Sequence, residues 1–453
     1  MRQLDVHAIA SDAKFNRFHA FILFICTLVI VADGYDILVV GVALPLIVRD
    51  MGVTPTQAGV MASASVFGMM IGAVLSGSVA DLVGRRRAMV ACLAVFSVGT
   101  AAAGLTHDAV SFSVIRFVAG LGIGGVMPCV ITQMTEFSPR TTRATMVTAS
   151  FSGFAMGGIV AALSGKALVE TYGWPSVFFA AALPLLLIPF VIRLMPESMA
   201  YLVKSRRLDE LRGLLRRIDS SVLIEADDIL VGAIEIDGGA QEHSRSRQLF
   251  LEGRAMATSM FWLASFMCLF VIYGLAAWLV KMMANAGYSL GSALTFALVL
   301  NIGALIGSVS VGRLGDRFSI RWVLFGLYLL AAFGILMLSF KMPQPWLYIF
   351  IAIVGAATYG GQTLTFACAA QFYPLALRSI GVGWTTAVGR IGAIAAPILL
   401  GMLMTLRLPL EQNFVVVAIP AVLAAIAVSQ IRSGHRALND ARSTHKAVDR
   451  FAP

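Results

Sequence analysis

Twelve long apolar runs leave this chain few ways to fold. They fall at approximately residues 19–48, 56–79, 88–106, 109–135, 144–169, 174–194, 254–284, 291–313, 321–340, 345–371, 376–406 and 411–431. Hydrocarbon offers no partner for backbone N–H and C=O groups, so only helices and closed barrels span it. Runs of this length match a helix crossing a bilayer, at roughly 20 residues per crossing. With 58% hydrophobic and 13% charged residues, the chain is far too apolar for a soluble protein of its length. The expected fold class is an all-α integral membrane protein of twelve transmembrane helices. The net charge of +10 reads as membrane topology rather than nucleic-acid binding, because the basic residues gather in short loops between the runs.

The longest polar interruption, 195–253, divides the runs into two sets of six. The expected division is a tail at 1–18, a six-helix bundle at 19–194, a central loop at 195–253, a second bundle at 254–431 and a tail at 432–453. Of the 34 Lys and Arg residues, two lie within spans, five in the loops of one side and 27 on the other. This asymmetry predicts that both termini and the central loop are cytoplasmic. Polar opening residues followed by so long a first run predict no cleavable signal peptide. The five cysteines all sit in apolar runs without paired spacing, so neither a disulfide framework nor a metal site is expected. No phosphate-binding loop, dinucleotide fingerprint or nucleophile constellation is present, so neither a cofactor nor an enzyme is expected.

The two halves are copies. Adding 235 to a position carries Gly68, Gly72, Gly77, Asp81 and Arg86 onto Gly303, Gly307, Gly312, Asp316 and Arg321. The same offset carries Gly120, Gly125, Phe137, Pro139 and Arg143 onto Gly355, Gly360, Phe372, Pro374 and Arg378. A parallel duplication of a six-helix unit is one way secondary transporters are built, with the binding site between the halves. The membrane-embedded charges break this symmetry: Asp33, Asp36, Arg116, Glu136 and Arg390 pair with Cys268, Val271, Ile351, Gln371 and Ala155. A requirement of the duplicated scaffold therefore does not account for those charges.

Each such charge is costly. An ionisable group near the bilayer centre loses roughly 2.5 to 3.5 kcal/mol on insertion scales, and such groups are functional by default. Asp33 and Asp36, three residues apart in the first run, share one helix face and read as a proton and substrate site. The competing reading is a structural pair bonded to a neighbouring helix. Arg116 lies about 10 Å below the outer face, at 1.5 Å per residue, where a guanidinium clamps a carboxylate or acts on an aspartate unless it snorkels outward. Arg390, near the middle of the eleventh run, snorkels less easily and is the preferred carboxylate anchor. Glu136, at the cytoplasmic end of the fourth run, is expected to pair with Arg143 or Arg378 as part of a gate. Tyr35 is a candidate pocket aromatic, although packing is the commoner use of a membrane aromatic.

Gly77-Ser-Val-Ala-Asp81-Leu-Val-Gly84-Arg85-Arg86-Arg87, echoed by Gly312-Arg-Leu-Gly-Asp316-Arg317, resembles the signature loop of the major facilitator superfamily. The resemblance implies a cytoplasmic latch whose Asp meets arginines and a helix N-terminus, with contacts that form and break between conformations. The second copy lacks the glycine and the arginine cluster, which predicts a weaker latch there. Arg116-Phe-Val-Ala-Gly120-Leu-Gly-Ile-Gly124 resembles the superfamily's fourth-helix motif.

Asp33-Gly-Tyr-Asp36, Gly122-Ile-Gly-Gly-Val-Met-Pro128, Met195-Pro-Glu-Ser198 and Arg378-Ser-Ile-Gly-Val-Gly-Trp384 running into Gly389-Arg390-Ile-Gly392 resemble the aromatic acid:proton symporter family. The opening residues look most like its benzoate-type members. Membership implies a monomeric importer of a small aromatic carboxylate, benzoate or a hydroxybenzoate, with protons, in the bacterial cytoplasmic membrane. In that family the aspartates matching Asp33 and Asp36 are required, and arginines matching Arg116 and Arg390 are implicated. Efflux antiport of the same fold, or a transport-coupled sensor of aromatic acids, are the rival expectations. The two arginines favour an anionic substrate over a cationic drug.

Overall fold

The computed structural model describes residues 3–218, 229–231, 247–251, 253–340, 342–406 and 410–431. Both the C-terminal tail after 431 and most of the central loop beyond 218 lie outside the described residues. Among the described residues, twelve helices are long and apolar enough to cross a membrane. They are Arg17–Asp50, Pro55–Ser76, Arg85–Ala103, Ala109–Phe137, Thr145–Tyr172, Pro175–Leu194, Ala255–Asn285, Leu290–Gly312, Ile320–Met337, Gln344–Phe372, Ile380–Thr405 and Glu411–Gln430, called the first to twelfth spans below.

Local chemistry sets several ends. Asn16 caps the first span, its Oδ1 accepting from the N–H groups of Phe18 and His19, while His19 Nδ1 accepts from the Asn16 N–H at 3.1 Å. Thr54 and Gln57 form the same reciprocal box at the second span. Asp108 caps the fourth; hydrogen bonds from the Ser111 hydroxyl and from backbone N–H groups hold its carboxyl below the usual range. The sixth span is not one α-helix. Pro184 and Pro189 lack a donor, and the run divides into Pro175–Ala180, a 3-10 stretch at Leu183–Leu187, and Ile188–Leu194.

Small residues set the distances between helices, since burial of apolar surface cannot drive association inside lipid. The repeat is visible here contact by contact. A Cβ on Gly68 would collide with the Phe117 carbonyl, and one on Gly72 with that of Leu121. In the second half, Gly303 meets the Ala352 carbonyl and Gly307 that of Ala356. All four glycines and all four partners are related by the offset of 235. The same backbone approach is thus made twice by different neighbouring side chains.

Two compact units are present. One comprises Met1–Ile236, Ala276–Ile302 and Pro397–Arg407; the other comprises Asp237–Leu275, Gly303–Ala396 and Leu408–Pro453. These units cut across the sequence division, because one end of the seventh, eighth and eleventh spans packs within the first unit. Gly41 abuts the Ala276 carbonyl, Gly59 that of Pro397, and the buried Trp278 donates from Nε1 to the Pro397 carbonyl at 2.9 Å.

The N-terminal segment is also more ordered than a polar tail. Val6–Asp12 is helical with Val6 and Ala10 buried, and Arg143 donates to Ser11 Oγ at 2.9 Å. In the central loop, Leu208–Ile218 forms an amphipathic helix that buries Leu211, Leu214, Leu215 and Ile218, and Asn16 Nδ2 donates to the Ile218 carbonyl at 2.9 Å. Two three-residue strands, Gln3–Asp5 and Ile229–Val231, pair in parallel beside them. They are a small addition to an otherwise helical chain.

If backbone approach sets these interfaces, Gly72→Ala and Gly307→Ala should each destabilise the purified protein by about 1–3 kcal/mol through overpacking. Gly326→Ala, where nothing lies within 4 Å of the added carbon, should leave stability unchanged or raise it. Thermal unfolding in detergent measures all three.

Candidate functional site

The first span carries the two carboxylates. Asp33 is 0% exposed and Asp36 is 1% exposed. Gly34 and Gly157 have no room for a Cβ, and their absent side chains let the fifth span lie against this segment backbone to backbone. Three spans then converge on Asp36. Arg116 of the fourth span, itself fully buried, places its NH1 at 2.9 and 3.1 Å from the two carboxylate oxygens and its NH2 at 2.9 Å from the Asp36 carbonyl. Thr100 of the third span completes the cluster: its hydroxyl accepts from Arg116 NH1 at 2.7 Å and donates to Asp36 Oδ1. Charge-assisted bonds of this kind are the strong ones, and together they offset the desolvation of two ions.

This geometry decides between the readings of Arg116. The guanidinium does not snorkel; it turns inward and neutralises Asp36. Arg390 differs. It is half-buried in the eleventh span, and among the described residues it makes no hydrogen bond or ion pair. Beside it, Gly389 lies against Ser265 of the seventh span, whose hydroxyl accepts from Gln362 Nε2 at 3.2 Å. The hydroxyl of Tyr35 is engaged within the first unit. It donates to the Val177 carbonyl at 2.8 Å and lies 3.1 Å from Ser164 Oγ, tying the first span to the fifth and sixth.

At the arginine-rich turn the structure corrects one pairing. Within its own unit, Glu136 does not meet Arg143. Its partner is Arg85, with NH1 at 2.7 Å from Oε2, and it also accepts from the Ser198 hydroxyl at 2.9 and 3.0 Å and from the Ala200 N–H at 3.1 Å. The physical reason is chain direction: the segment after the sixth span returns beneath the fourth and brings these donors to the carboxylate. Arg143 instead bonds Ser11 and the Ser138 carbonyl, and Arg378 and Arg317 are exposed. The surroundings of Gly77 and the side chains of Asp81 and Asp316 lie outside the described set.

Glu197, not singled out as a site residue from the sequence, is the second acid of this turn. Buried, it accepts from the Arg86 N–H at 3.0 Å, and Arg86 Nε lies 4.0 Å from its Oε2. Gly84, at φ 95°, brings the turn so close that a Cβ would meet the Glu197 carboxylate. In the second half the matching position is Ser319, at φ −58°, with no such turn. The signal for Glu197 was an acid directly after an apolar run, within Met195-Pro-Glu-Ser198. Thr100 had none, being one hydroxyl in an apolar run. Among the described residues no cluster of His, Cys, Asp and Glu has the geometry of a metal site.

Comparison with known proteins gives the family context for this geometry. The model of the Major Facilitator Superfamily matches residues 25–397 and 261–448. A benzoate transport protein of Acinetobacter baylyi is 39% identical over 432 residues, covering 94% of this chain and 92% of that protein. A gentisate transporter of Corynebacterium glutamicum is 33% identical over 405 residues, covering 88% and 84%. A 4-hydroxybenzoate transporter of Acinetobacter baylyi is 30% identical over 428 residues, covering 94% and 93%. Among solved structures, a D-xylose-proton symporter superposes with a TM-score of 0.72 at 16% identity, covering 92% of this chain and 99% of that one. That likeness concerns the fold.

Breaking the buried pair from one side should be expensive. Arg116→Gln, which strands Asp36, is expected to lower stability in detergent by about 3–5 kcal/mol. Adding Asp36→Asn should recover part of that loss, the non-additivity expected of residues in contact. Thermal unfolding of the single and double variants checks it.

Proposed function

The chain belongs to the Major Facilitator Superfamily, and from that premise we propose that it imports an aromatic carboxylate, benzoate or a hydroxybenzoate, together with protons. It is a multi-pass membrane transporter and not an enzyme. The proposal places it in the bacterial cytoplasmic membrane as a monomer with both termini in the cytoplasm. One observation carries the substrate's charge: Arg116 is already neutralised by Asp36, which leaves Arg390 as the mid-span cation without a partner among the described residues. A half-buried guanidinium in a membrane protein calls for an anion, and a carboxylate matches its fork. The relatives named for benzoate, gentisate and 4-hydroxybenzoate support an aromatic acid.

In the proposed cycle a proton enters from the outer side and is taken up at Asp33 or Asp36, since two carboxylates one turn apart in a desolvated site are costly when both are ionised. The substrate's carboxylate then docks on Arg390, or on Arg116 once Asp36 is neutral, with its ring among apolar side chains. The loaded site carries no unpaired charge, so the transporter can rearrange without dragging one through hydrocarbon. On the cytoplasmic side, Arg85 with Glu136 and Arg86 with Glu197 act as a latch that opens and closes during the cycle, and Gly77, Asp81, Gly84, Asp316 and Arg317 belong to the same signature turns. Arg143 and Arg378 flank them. A monoanion moving with one proton transfers no net charge, whereas with two protons each 100 mV adds roughly 2.3 kcal/mol of drive.

Labelled benzoate uptake into proteoliposomes under an inward proton gradient is the test. Wild-type protein should accumulate it, and Asp33→Asn or Asp36→Asn should abolish accumulation. Arg390→Ala should weaken apparent substrate affinity by about a hundredfold, as expected when a desolvated charge pair loses one partner. Stimulation by an imposed potential would set the proton number above one. Uptake indifferent to the gradient and to both aspartates would sink the proposal.

A further inference from the structure

Buried threonines in the spans of this protein mostly turn the hydroxyl back onto their own helix. Thr358 bonds the Val354 carbonyl, Thr365 that of Gly361 and Thr385 that of Gly381, as the half-buried Thr27 and Thr132 do with Leu23 and Pro128. This is the usual way to satisfy a hydroxyl in a membrane helix. Thr100 does not. Fully buried on the third span, it gives its one proton to Asp36 Oδ1 and accepts from Arg116 NH1 at 2.7 Å, so it touches both members of the ion pair.

We propose that Thr100 is a positioning residue for proton coupling, which holds Asp36 and Arg116 in register and keeps Arg116 in place when Asp36 is protonated. The inference rests on the proton-coupled reading above. A threonine hydroxyl has one donor and two acceptor positions, and the donor and one acceptor are engaged here. When a proton from the outer solution forms an O–H bond on the Asp36 carboxylate, Arg116 loses its counter-charge but not its geometry. Besides the neutral carboxyl's own C=O oxygen, two acceptors remain that proton uptake does not alter: Thr100 Oγ1 on the third span and the Asp36 main-chain carbonyl, 2.9 Å from NH2, on the first. Thr100 keeps its own proton throughout. Proton uptake thereby converts a neutral pair into a fixed, uncompensated guanidinium. Such a cation is preorganised to receive a carboxylate, with no side-chain search to slow binding. Without the hydroxyl, the neutralised site loses its acceptor on the third span and holds Arg116 through the first span alone, and proton binding no longer delivers a cation in a set position.

The test uses full-length protein in proteoliposomes with labelled benzoate, comparing wild type, Thr100→Val and Thr100→Ser. Two rates are read across a pH series: accumulation under a proton gradient, and exchange of internal for external benzoate without one. Thr100→Val is near in shape and lacks only the hydroxyl. Gradient-driven accumulation should fall about tenfold, the cost of one buried hydrogen bond to a charged group. Its pH dependence should shift from that of wild type, exchange at acid pH should survive within about threefold, and Thr100→Ser should restore both the rate and the pH profile. A wild-type pH profile in Thr100→Val would overturn the proposal. So would equal losses of accumulation and exchange at every pH that serine does not rescue, the mark of a packing role. Should Thr100→Val not yield folded protein, Thr100→Ala replaces it with the same expectations; failure of both to fold assigns the hydroxyl to stability and also overturns the proposal. Wild-type vesicles that accumulate no aromatic acid under a gradient overturn the proton-coupled reading and this inference together. Normal wild-type accumulation with an unshifted pH profile in Thr100→Val overturns the inference only.

Discussion

The cost of ionised groups in hydrocarbon organises this protein. Near the middle of its spans stand two carboxylates and two guanidiniums, each required to find a partner or to be kept for a function. Asp36 and Arg116 find each other, with Thr100 between them, across the first, third and fourth spans. The pair is fully desolvated, and it fixes the rotation of three helices at once, because a guanidinium that bonds two carboxylate oxygens, a carbonyl and a hydroxyl tolerates little axial turning.

Everything around that cluster lets the helices come near enough to make it. Glycines at 34 and 157 bring the fifth span onto the first, and the ridge of Gly68, Gly72, Gly120 and Gly124 joins the second and fourth. Lipid gives no reward for covering leucine with leucine, so close backbone contact and polar bonds provide the cohesion. The second half repeats the glycine contacts but not the charges. A duplicated scaffold thus acquired its chemistry on one side, with Arg390 the single mid-span charge of the other.

At the arginine-rich turn the chemistry is of another kind. Glu136 and Glu197 are buried, and the arginines that meet them are 22% and 21% exposed, so water reaches one partner of each pair. In the Asp36 cluster both partners of the ion pair are closed to water. Gly84 at positive φ admits Glu197, and Ser319 in the second half does not reproduce that turn.

Much of this was legible in the residues. Span length and apolar content fixed twelve helices, the offset of 235 fixed the repeat, and the unmatched charges marked Asp33, Asp36, Arg116 and Arg390, since each of these depends on spacing along the chain. Partnership does not. Whether Glu136 meets Arg85 or Arg143, which carbonyl the Tyr35 hydroxyl bonds, and whether Thr100 serves its own helix or its neighbours are set by the rotation of each helix about its axis and by which backbones approach. A nearly uniform apolar surface carries little information about that rotation. It was decided only when the glycine contacts and the buried ion pair locked the helices together.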